Sequence, residues 1–337
     1  MSKIRYFLFL ILLCFFFGNV TAQDKSVLKN QAVLIQPPYL KAGDTVAIVA
    51  PSGILKNRDE EVERAVKLLH SFGLKAVVGK HVFKQADHFA GTDDERCEDF
   101  QNALDDPSIK AIWCARGGYG AVRILDKLDY TKFKKHPKWL IGYSDITALH
   151  NQIHNEGFQS IHALMGVSLT KNLEDIKETV ATFKSTIFGK PVNYTLNGSE
   201  YNRTGEASGP LVGGNLTILH TMLGSKTSID TSGKILFIEE IGEYKYHIDR
   251  MLQSMKRAGY FDNCNGVLVG DMTKLRKNTT LWGTSVEQLI LDALSDYDFP
   301  IAFNMPAGHE PDNRAMVLGH QITLKVSKDK TILTFDD

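Results

Sequence analysis

The stretch TVAIVA at 45–50, followed at once by PSG at 51–53, decides the fold. A short run of β-branched and small apolar residues that ends in a proline–glycine turn is typical of a buried strand. Apolar residues then recur at helical spacing through 59–72, Gly73 marks the end of that helix, and 74–78 is strand-like again. This order of strand, helix and strand predicts a mostly parallel sheet covered by helices.

The same alternation continues and predicts an N-terminal α/β domain over residues 45–175. We expect helices at 97–104, 120–128 and 146–155, and strands at 111–115 and 139–141. Weak apolar periodicity and many polar residues over 176–205 then predict an interdomain linker. Residues 206–337 form a predicted second domain, which contains helices at 216–223 and 248–258 and ends at 316–335 in two antiparallel strands.

The first 22 residues have the pattern of a secretory signal peptide. Lys3 and Arg5 give a basic start, 6–17 is an unbroken apolar run, and small residues lead to Ala22. That run is shorter than the ~20 residues that a membrane-spanning helix needs; an uncleaved N-terminal anchor is the alternative interpretation. We therefore expect an exported, periplasmic protein with signal peptide 1–22 and an N-terminal extension over 23–44.

Charge and cysteine content exclude several classes of function. The chain has 39 Lys+Arg and 39 Asp+Glu, whereas a nucleic-acid-binding protein is expected to carry a clear basic excess. After the signal peptide the cysteines are Cys97, Cys114 and Cys264, an odd number without metal-like spacing. They argue against a disulfide framework and against a zinc site.

The candidate nucleophile is Ser144, in the stretch WLIGYSDIT at 139–147. A serine on a sharp strand-to-helix turn projects its hydroxyl above the sheet edge, and the amide of the next residue, Asp145, points toward a carbonyl under attack. The stretch is not G-x-S-x-G, because Ile146 replaces the second glycine. On local sequence alone, a helix N-cap role for Ser144 or Asp145 is favoured, since such capping residues are common.

A glycine-rich loop, ARGGYG at 115–120, follows a predicted strand. Such a loop turns backbone N–H groups toward an anion, and it lacks the lysine and hydroxyl residue of a phosphate-binding P-loop. An oxyanion-binding loop and a simple tight turn both fit the pattern. Arg116 has the planar, two-pronged geometry that holds carboxylates, although an exposed arginine at the start of a loop is the commoner situation.

Two further stretches carry acids and a histidine. Glu239 and Glu240 follow the apolar run 235–238, at the end of a predicted strand where open α/β sheets place their ligands. His309 lies on the proline- and glycine-rich loop 304–311. A serine, a carboxylate and a histidine can form a nucleophile, an orienting group and a base, but their separation along the chain does not assemble them.

Taken together and in this order, these stretches resemble the LD-carboxypeptidase family, the muramoyltetrapeptide carboxypeptidases with the microcin C self-immunity proteins as relatives. The matching segments are VAIVAPSG at 46–53, ARGGYG at 115–120, IGYSD at 141–145, GPLVGGNLTIL at 209–219, ILFIEEIGE at 235–243, YHIDRML at 246–252 and MPAGH at 305–309. They span nearly all of the chain after the signal peptide.

The resemblance implies a flavodoxin-like N-terminal domain, a β-rich α/β C-terminal domain and an active site in the groove between them. It implies a serine peptidase triad of Ser144, Glu239 and His309 that needs no cofactor or metal. It also implies a homodimer. Many relatives have Glu-Asp where this chain has Glu239-Glu240; we prefer Glu239 as the orienting acid. The oxyanion donors would be the backbone amides of Gly118 and Asp145.

The implied substrate is a peptidoglycan tetrapeptide, or muropeptide, from which the terminal D-alanine is removed during cell-wall turnover. We expect Arg116 and the glycine loop, with Gly117, to hold the terminal carboxylate; a structural salt bridge of Arg116 is the alternative. Typical members act in the cytoplasm, whereas we expect this chain to be exported. A peptidase that acts on peptide–nucleotide antibiotics and a non-catalytic periplasmic receptor for wall peptides are the competing hypotheses.

Overall fold

Two β-sheets with helices packed around them make up residues 34–169 and 172–336, the part of the chain that the computed structural model describes. The predicted signal peptide and residues 23–33 of the predicted extension lie outside these residues. Among the helices of the described ranges, none is long and apolar enough to cross a membrane.

The first sheet has six strands, and five of them are parallel. In chain order they are β1 (Thr45–Val49), β2 (Lys75–Val78), β3 (Ile109–Cys114), β4 (Trp139–Gly142), β5 (Ser160–His162) and β11 (Met316–Leu318), arranged β11-β5-β4-β3-β1-β2. Only β11 runs antiparallel to its neighbour. The predicted parallel sheet is therefore confirmed.

Helices cover both faces of this sheet, which explains why its strands read as continuous apolar runs. They are α1 (Asp59–Ser71), α2 (Asp93–Asp105), α3 (Thr131–Lys135), α4 (Thr147–Asn155) and α5 (Lys177–Ile187). Val46 and Ile48 of β1 belong to the apolar cluster on one face, and Ala47 and Val49 belong to the cluster on the other. A strand buried on both faces has no polar side to alternate with its apolar one.

The second sheet has seven strands and is mixed. Its strands are β6 (Tyr194–Asn197), β7 (Gly205–Asn215), β8 (Ile235–Ile241), β9 (Gly266–Thr273), β10 (Ile301–Ala302), β12 (Gln321–Val326) and β13 (Lys330–Phe335), in the order β10-β9-β8-β7-β12-β13-β6. The four from β7 to β10 are parallel, and the other pairings are antiparallel. Helices α6 (Leu216–Thr221), α7 (Lys245–Arg257) and α8 (Val286–Ala293) accompany the parallel part.

The structure differs from the sequence-based expectations at three places. Residues 120–128 form two 3₁₀ turns, Ala121–Arg123 and Leu125–Lys127, instead of one helix; Gly120, at φ +138°, has a backbone that an α-helix cannot start from. The segment predicted as a linker contains α5 and the edge strand β6. The C-terminal stretch forms three strands, of which β11 joins the first sheet.

The two sheets belong to one compact unit, Leu34–Asp337. Besides β11, a contact near the carboxyl ends of β4 and β7 connects them, because the N–H of Asn215 donates to Thr147 Oγ1 at 3.0 Å. Gly214 permits this approach, since a Cβ there would lie 2.4 Å from the same hydroxyl oxygen. Residues that follow β4 and residues of β8, the neighbour of β7, are thereby brought to one place.

Candidate active site

Ser144 occupies a sharp turn between β4 and α4. Its φ is +63°, in the left-handed region that non-glycine residues rarely adopt, and a single 3₁₀ turn, Ser144–Ile146, leads from it into α4. Neither this turn nor α4 has a side-chain N-cap bond, so the capping interpretation of Ser144 is wrong. A strained serine between a strand and a helix is the geometry of a nucleophile elbow.

The glycine loop packs directly against this turn. A Cβ on Gly117 would lie 3.2 Å from Ser144 Cβ and 3.3 Å from the amide nitrogen of Asp145, so a side chain there would push the two segments apart by a few tenths of an ångström. The buried carboxylate of Asp145 accepts the N–H of Ala121 at 2.9 Å, which ties the end of the loop to the same turn. The predicted oxyanion donors, the amides of Gly118 and Asp145, therefore belong to two segments in contact.

The two glutamates of β8 have different surroundings. Glu239 is fully buried, and its Oε2 lies 2.8 Å from Nδ1 of His309. Glu240 instead accepts hydrogen bonds from the N–H and hydroxyl of Thr217 at 2.8 and 2.7 Å and from Nδ2 of Asn215 at 3.2 Å. Burial raises the pKa of Glu240 in spite of the bond from Thr217. Glu239 is therefore the acid that contacts the histidine.

His309 connects the serine to the glutamate. Its Nε2 lies 3.0 Å from Ser144 Oγ while its Nδ1 contacts Glu239, and the ring packs edge-on against Tyr143 with centroids 5.0 Å apart. Three residues separated by 165 positions of sequence thus form one hydrogen-bonded series. The structure brings together all three residues of the predicted triad.

The surroundings of His309 favour its protonated form. Burial alone lowers the pKa of the imidazole, but the hydrogen bond to Glu239 and the negative charges of Glu239, Glu240 and Asp271 outweigh this effect. The net result is a raised pKa of His309. An imidazolium formed during a reaction would be stabilised by the same groups.

Arg116 lies folded against the turn after β1. Its guanidinium donates to the carbonyl of Ile54, and the N–H of Gly53 donates to the carbonyl of Gly117 at 3.0 Å. Burial lowers the pKa of Arg116, and the neighbouring charge of Arg58 lowers it further. Among the ion pairs of residues 34–169 and 172–336, neither arginine has a carboxylate partner within 4.0 Å.

Two residues that the sequence analysis missed hold the loop that carries His309. Asp271 Oδ2 accepts the N–H of Glu310 at 3.3 Å, and Asn313 Oδ1 accepts the N–H of Gly308 at 3.2 Å. The position of Asp271 near the end of an apolar strand was a signal available in the sequence. Asn313 had no comparable signal. The described ranges contain no group of three or more His, Cys, Asp or Glu side chains placed to hold a metal ion.

A hydroxyl, an imidazole and a carboxylate in hydrogen-bonded order, at the carboxyl ends of strands, is the arrangement found in serine hydrolases. Residues 46–163 match the LD-carboxypeptidase N-terminal domain, and residues 208–324 match the LD-carboxypeptidase C-terminal domain. The chain belongs to the LD-carboxypeptidase family, and the family predicted from the sequence is confirmed.

Individual relatives agree with this assignment over most of their length. A probable murein peptide carboxypeptidase of Bacillus subtilis is 34% identical over 88% of this chain and 94% of its own. The murein tetrapeptide carboxypeptidase of Pseudomonas aeruginosa is 29% identical over 83% of this chain and 92% of its own. The crystal structure of muramoyltetrapeptide carboxypeptidase from Oxalobacter formigenes superposes with a TM-score of 0.78 at 27% identity, covering 87% of this chain and 99% of that one. The prediction of a carboxypeptidase is thereby confirmed.

Proposed function

We propose that this protein is a serine-type LD-carboxypeptidase that removes the terminal D-alanine from murein tetrapeptide stems. The observation that carries the proposal is the contact of His309 with Ser144 through one ring nitrogen and with Glu239 through the other. The names of the relatives in Bacillus and Pseudomonas support the choice of a murein peptide as substrate.

In this mechanism Ser144 Oγ attacks the carbonyl carbon of the bond before D-alanine, and its proton passes to Nε2 of His309. Glu239 accepts the Nδ1–H, which fixes the tautomer and stabilises the imidazolium. The amides of Gly118 and Asp145 stabilise the negative oxygen of the tetrahedral intermediate. His309 then gives the proton to the departing nitrogen of D-alanine, which leaves an ester on Ser144.

The ester is hydrolysed by the reverse use of the same groups. Water attacks the carbonyl carbon and gives a proton to His309, and the tetrahedral intermediate collapses as that proton returns to Ser144 Oγ. The products are free D-alanine and a stem that ends in a carboxylate one residue earlier. All proton transfers pass through one histidine, so no metal or cofactor takes part in the proposed reaction.

An exopeptidase must recognise the free terminal carboxylate, and in this chain we assign that role to Arg116 and the amides of the glycine loop from Gly117 onward. A carboxylate taken out of water needs paired donors. The absence of a carboxylate partner for Arg116 and Arg58 among the described residues supports this assignment. The positive charges of Arg116 and Arg58 would attract the terminal carboxylate of the substrate toward Ser144.

Three substrates test the proposal: a muropeptide tetrapeptide, its C-terminal amide and the corresponding pentapeptide. We expect D-alanine release from the tetrapeptide alone, measured by chromatography of the products. Cleavage of the amide at the same rate would refute recognition of the terminal carboxylate by Arg116 and the glycine loop. Binding of the tetrapeptide without cleavage would favour a receptor. If the amide is rejected, Arg116→Lys should lower kcat/KM because lysine lacks the two-pronged geometry.

The Ser144→Ala variant tests the nucleophile. Loss of a triad nucleophile lowers the rate on the order of a millionfold, whereas Ser144 makes no capping bond whose loss would destabilise the fold. We expect a folded protein, judged by circular dichroism and thermal unfolding, with no measurable D-alanine release. A folded Ser144→Ala protein with full activity would refute the assignment of the triad.

Export and dimerisation are parts of the proposal that rest on the signal-peptide pattern and on the family resemblance. Mass spectrometry of the protein purified from the envelope fraction should find an N-terminus near Gln23. An intact Met1 in a cytosolic pool would contradict export.

Light scattering on the purified enzyme should give twice the mass of the processed chain, and the mass of one chain would contradict a homodimer.

A further inference from the structure

The peptide groups on both sides of His309 are held by side-chain oxygens. The N–H of Gly308, which precedes it, donates to Asn313 Oδ1 at 3.2 Å, and the N–H of Glu310, which follows it, donates to Asp271 Oδ2 at 3.3 Å. Asp271 also fixes the approach to this segment through its backbone, because its N–H donates to the carbonyl of Ala307 at 3.0 Å. The direction of the imidazole is therefore set from strand β9 as well as from Glu239.

Asp271 places a second carboxylate beside the one that contacts the histidine. The position of a Cβ on Gly308 would lie 3.1 Å from Asp271 Oδ2 and 3.2 Å from Glu239 Oε2. Gly308, which has no Cβ, is the residue that lets both carboxylates approach the loop this closely. Two acids from neighbouring strands, β8 and β9, thus flank the backbone at His309.

The charged groups around Asp271 are predominantly acidic. Glu310 and Asp312 lie just after His309 on the loop that carries it, here called the histidine loop, and Glu239 lies on β8. Glu287 of α8 lines the same cavity of about 170 Å³ as Asp271. Burial, together with the charges of Glu310, Glu239 and Asp312, raises the pKa of Asp271 to about 6 in spite of the bond from the N–H of Glu310. Asp271 therefore changes its charge in the pH range where imidazoles titrate.

We propose that Asp271 is a positioning residue for His309: it fixes the peptide that follows the histidine, and its negative charge stabilises the imidazolium that forms when Ser144 attacks. The inference rests on the proposed function, because that function makes His309 the general base. Asp271 acts through the histidine and does not contact the scissile bond.

The Asp271→Asn variant separates charge from structure, because asparagine keeps an oxygen that can accept the N–H of Glu310. Removing the charge makes the imidazolium less stable, both in the free enzyme and in the transition state. For the tetrapeptide, we expect kcat to fall about tenfold with little change in KM, and the acid limb of the kcat/KM profile to move to lower pH by about half a unit. A purely structural role would leave the position of that limb unchanged, which would contradict the inference.

Asp312→Asn is the matched control. It removes one negative charge from the histidine loop at a residue whose carboxylate pairs with Arg314 instead, at 2.9 Å. We expect a much smaller shift of the acid limb for this variant, because Asp312 acts on the site only through its charge near Asp271. A shift as large as that of Asp271→Asn would attribute the effect to overall loop charge and overturn the role of Asp271.

A measurement on the unmodified enzyme covers the case in which Asp271→Asn does not fold. The NMR titration of the His309 imidazole should show two coupled steps, since two interacting groups lose their protons as a pair. A single-step curve would contradict the inference. Failure of the wild-type enzyme to release D-alanine would instead refute the proposed function and leave this titration valid.

Discussion

At the scale of single residues, the chemistry depends on backbone conformations that few residues adopt. Ser144 has a positive φ although it is not glycine, and its neighbours allow this because Gly117 leaves room beside it. Strain of this kind costs on the order of 1–3 kcal/mol and persists only where the surrounding structure enforces it. The sequence indicated the glycines and the serine, but it did not distinguish a strained turn from an ordinary N-cap.

Gly308 is the residue whose replacement by alanine should be most informative. Its φ is +148°, and a Cβ there would lie 2.9 Å from Asp271 Cβ and 3.2 Å from Glu239 Oε2. Gly308→Ala should therefore displace His309 and lower kcat by about a hundredfold, the loss expected when a catalytic group is misplaced. The crowding should also cost about 2 kcal/mol of unfolding free energy. Kinetics with the tetrapeptide and urea unfolding measure the two effects.

Gly224→Ala is the control for the backbone contribution. Gly224 also has a positive φ, +75°, but a Cβ there meets nothing within 4 Å. We expect a loss of about 1 kcal/mol in unfolding free energy with unchanged kcat. Equal effects of the two variants on kcat would show that a Cβ at Gly308 does not displace His309 by crowding Asp271 and Glu239.

At the scale of elements, the alternation of side chains along strand β8 places Glu239 and Glu240 on opposite faces of the sheet. Phe237 shares a face and an apolar cluster with Ala307 of the histidine loop, while Ile238 packs with the cluster that includes helices α6 and α7. Residues two apart point the same way along a strand, so Glu239 faces His309 and Glu240 faces α6. The run ILFI is apolar on both faces, so the sequence alone did not show which face of β8 lies against the loop that contains His309.

Paired substitutions test this division of roles. Glu239→Gln should lower kcat on the order of ten-thousandfold, because the amide disfavours the required tautomer of His309, with a small loss of stability. Glu240→Gln should lower kcat far less, because it removes a charge near His309 but leaves the bond between Glu239 and Nδ1 intact. It should cost about 1–3 kcal/mol of unfolding free energy, because it disturbs the bonds to Thr217 and Asn215. The reverse pattern, measured by kinetics and urea unfolding, would exchange the two assignments.

At the scale of the whole molecule, the active site unites parts of the chain that local patterns describe separately. The positions of strands and helices follow from periodicity, and most predicted elements are present within a few residues of their expected bounds. The return of β11 to the first sheet and the strand pairing of β6 are long-range events. Such pairings leave little local signal, and for that reason 176–205 read as a linker. The triad was proposed from family resemblance, because no local spacing relates Ser144 to His309.

Buried histidines should make the whole fold sensitive to acid, and His150 offers a direct test. It is 2% exposed, and burial lowers its pKa to about 4 despite its bond to the carbonyl of Gly142. The unfolded chain binds a proton at its ordinary pKa of about 6.5, so the stabilisation is complete above that pH and is lost as the pH falls toward 4. The free energy of unfolding should decline by about 1.4 kcal/mol per pH unit over this window because of His150 alone.

In His150→Gln, the stability deficit relative to wild type should therefore shrink from pH 6.5 to 4, as measured by urea unfolding. His70→Gln, at an exposed position near the end of α1, should keep the wild-type dependence, and a constant deficit in His150→Gln would show that His150 does not contribute to acid sensitivity.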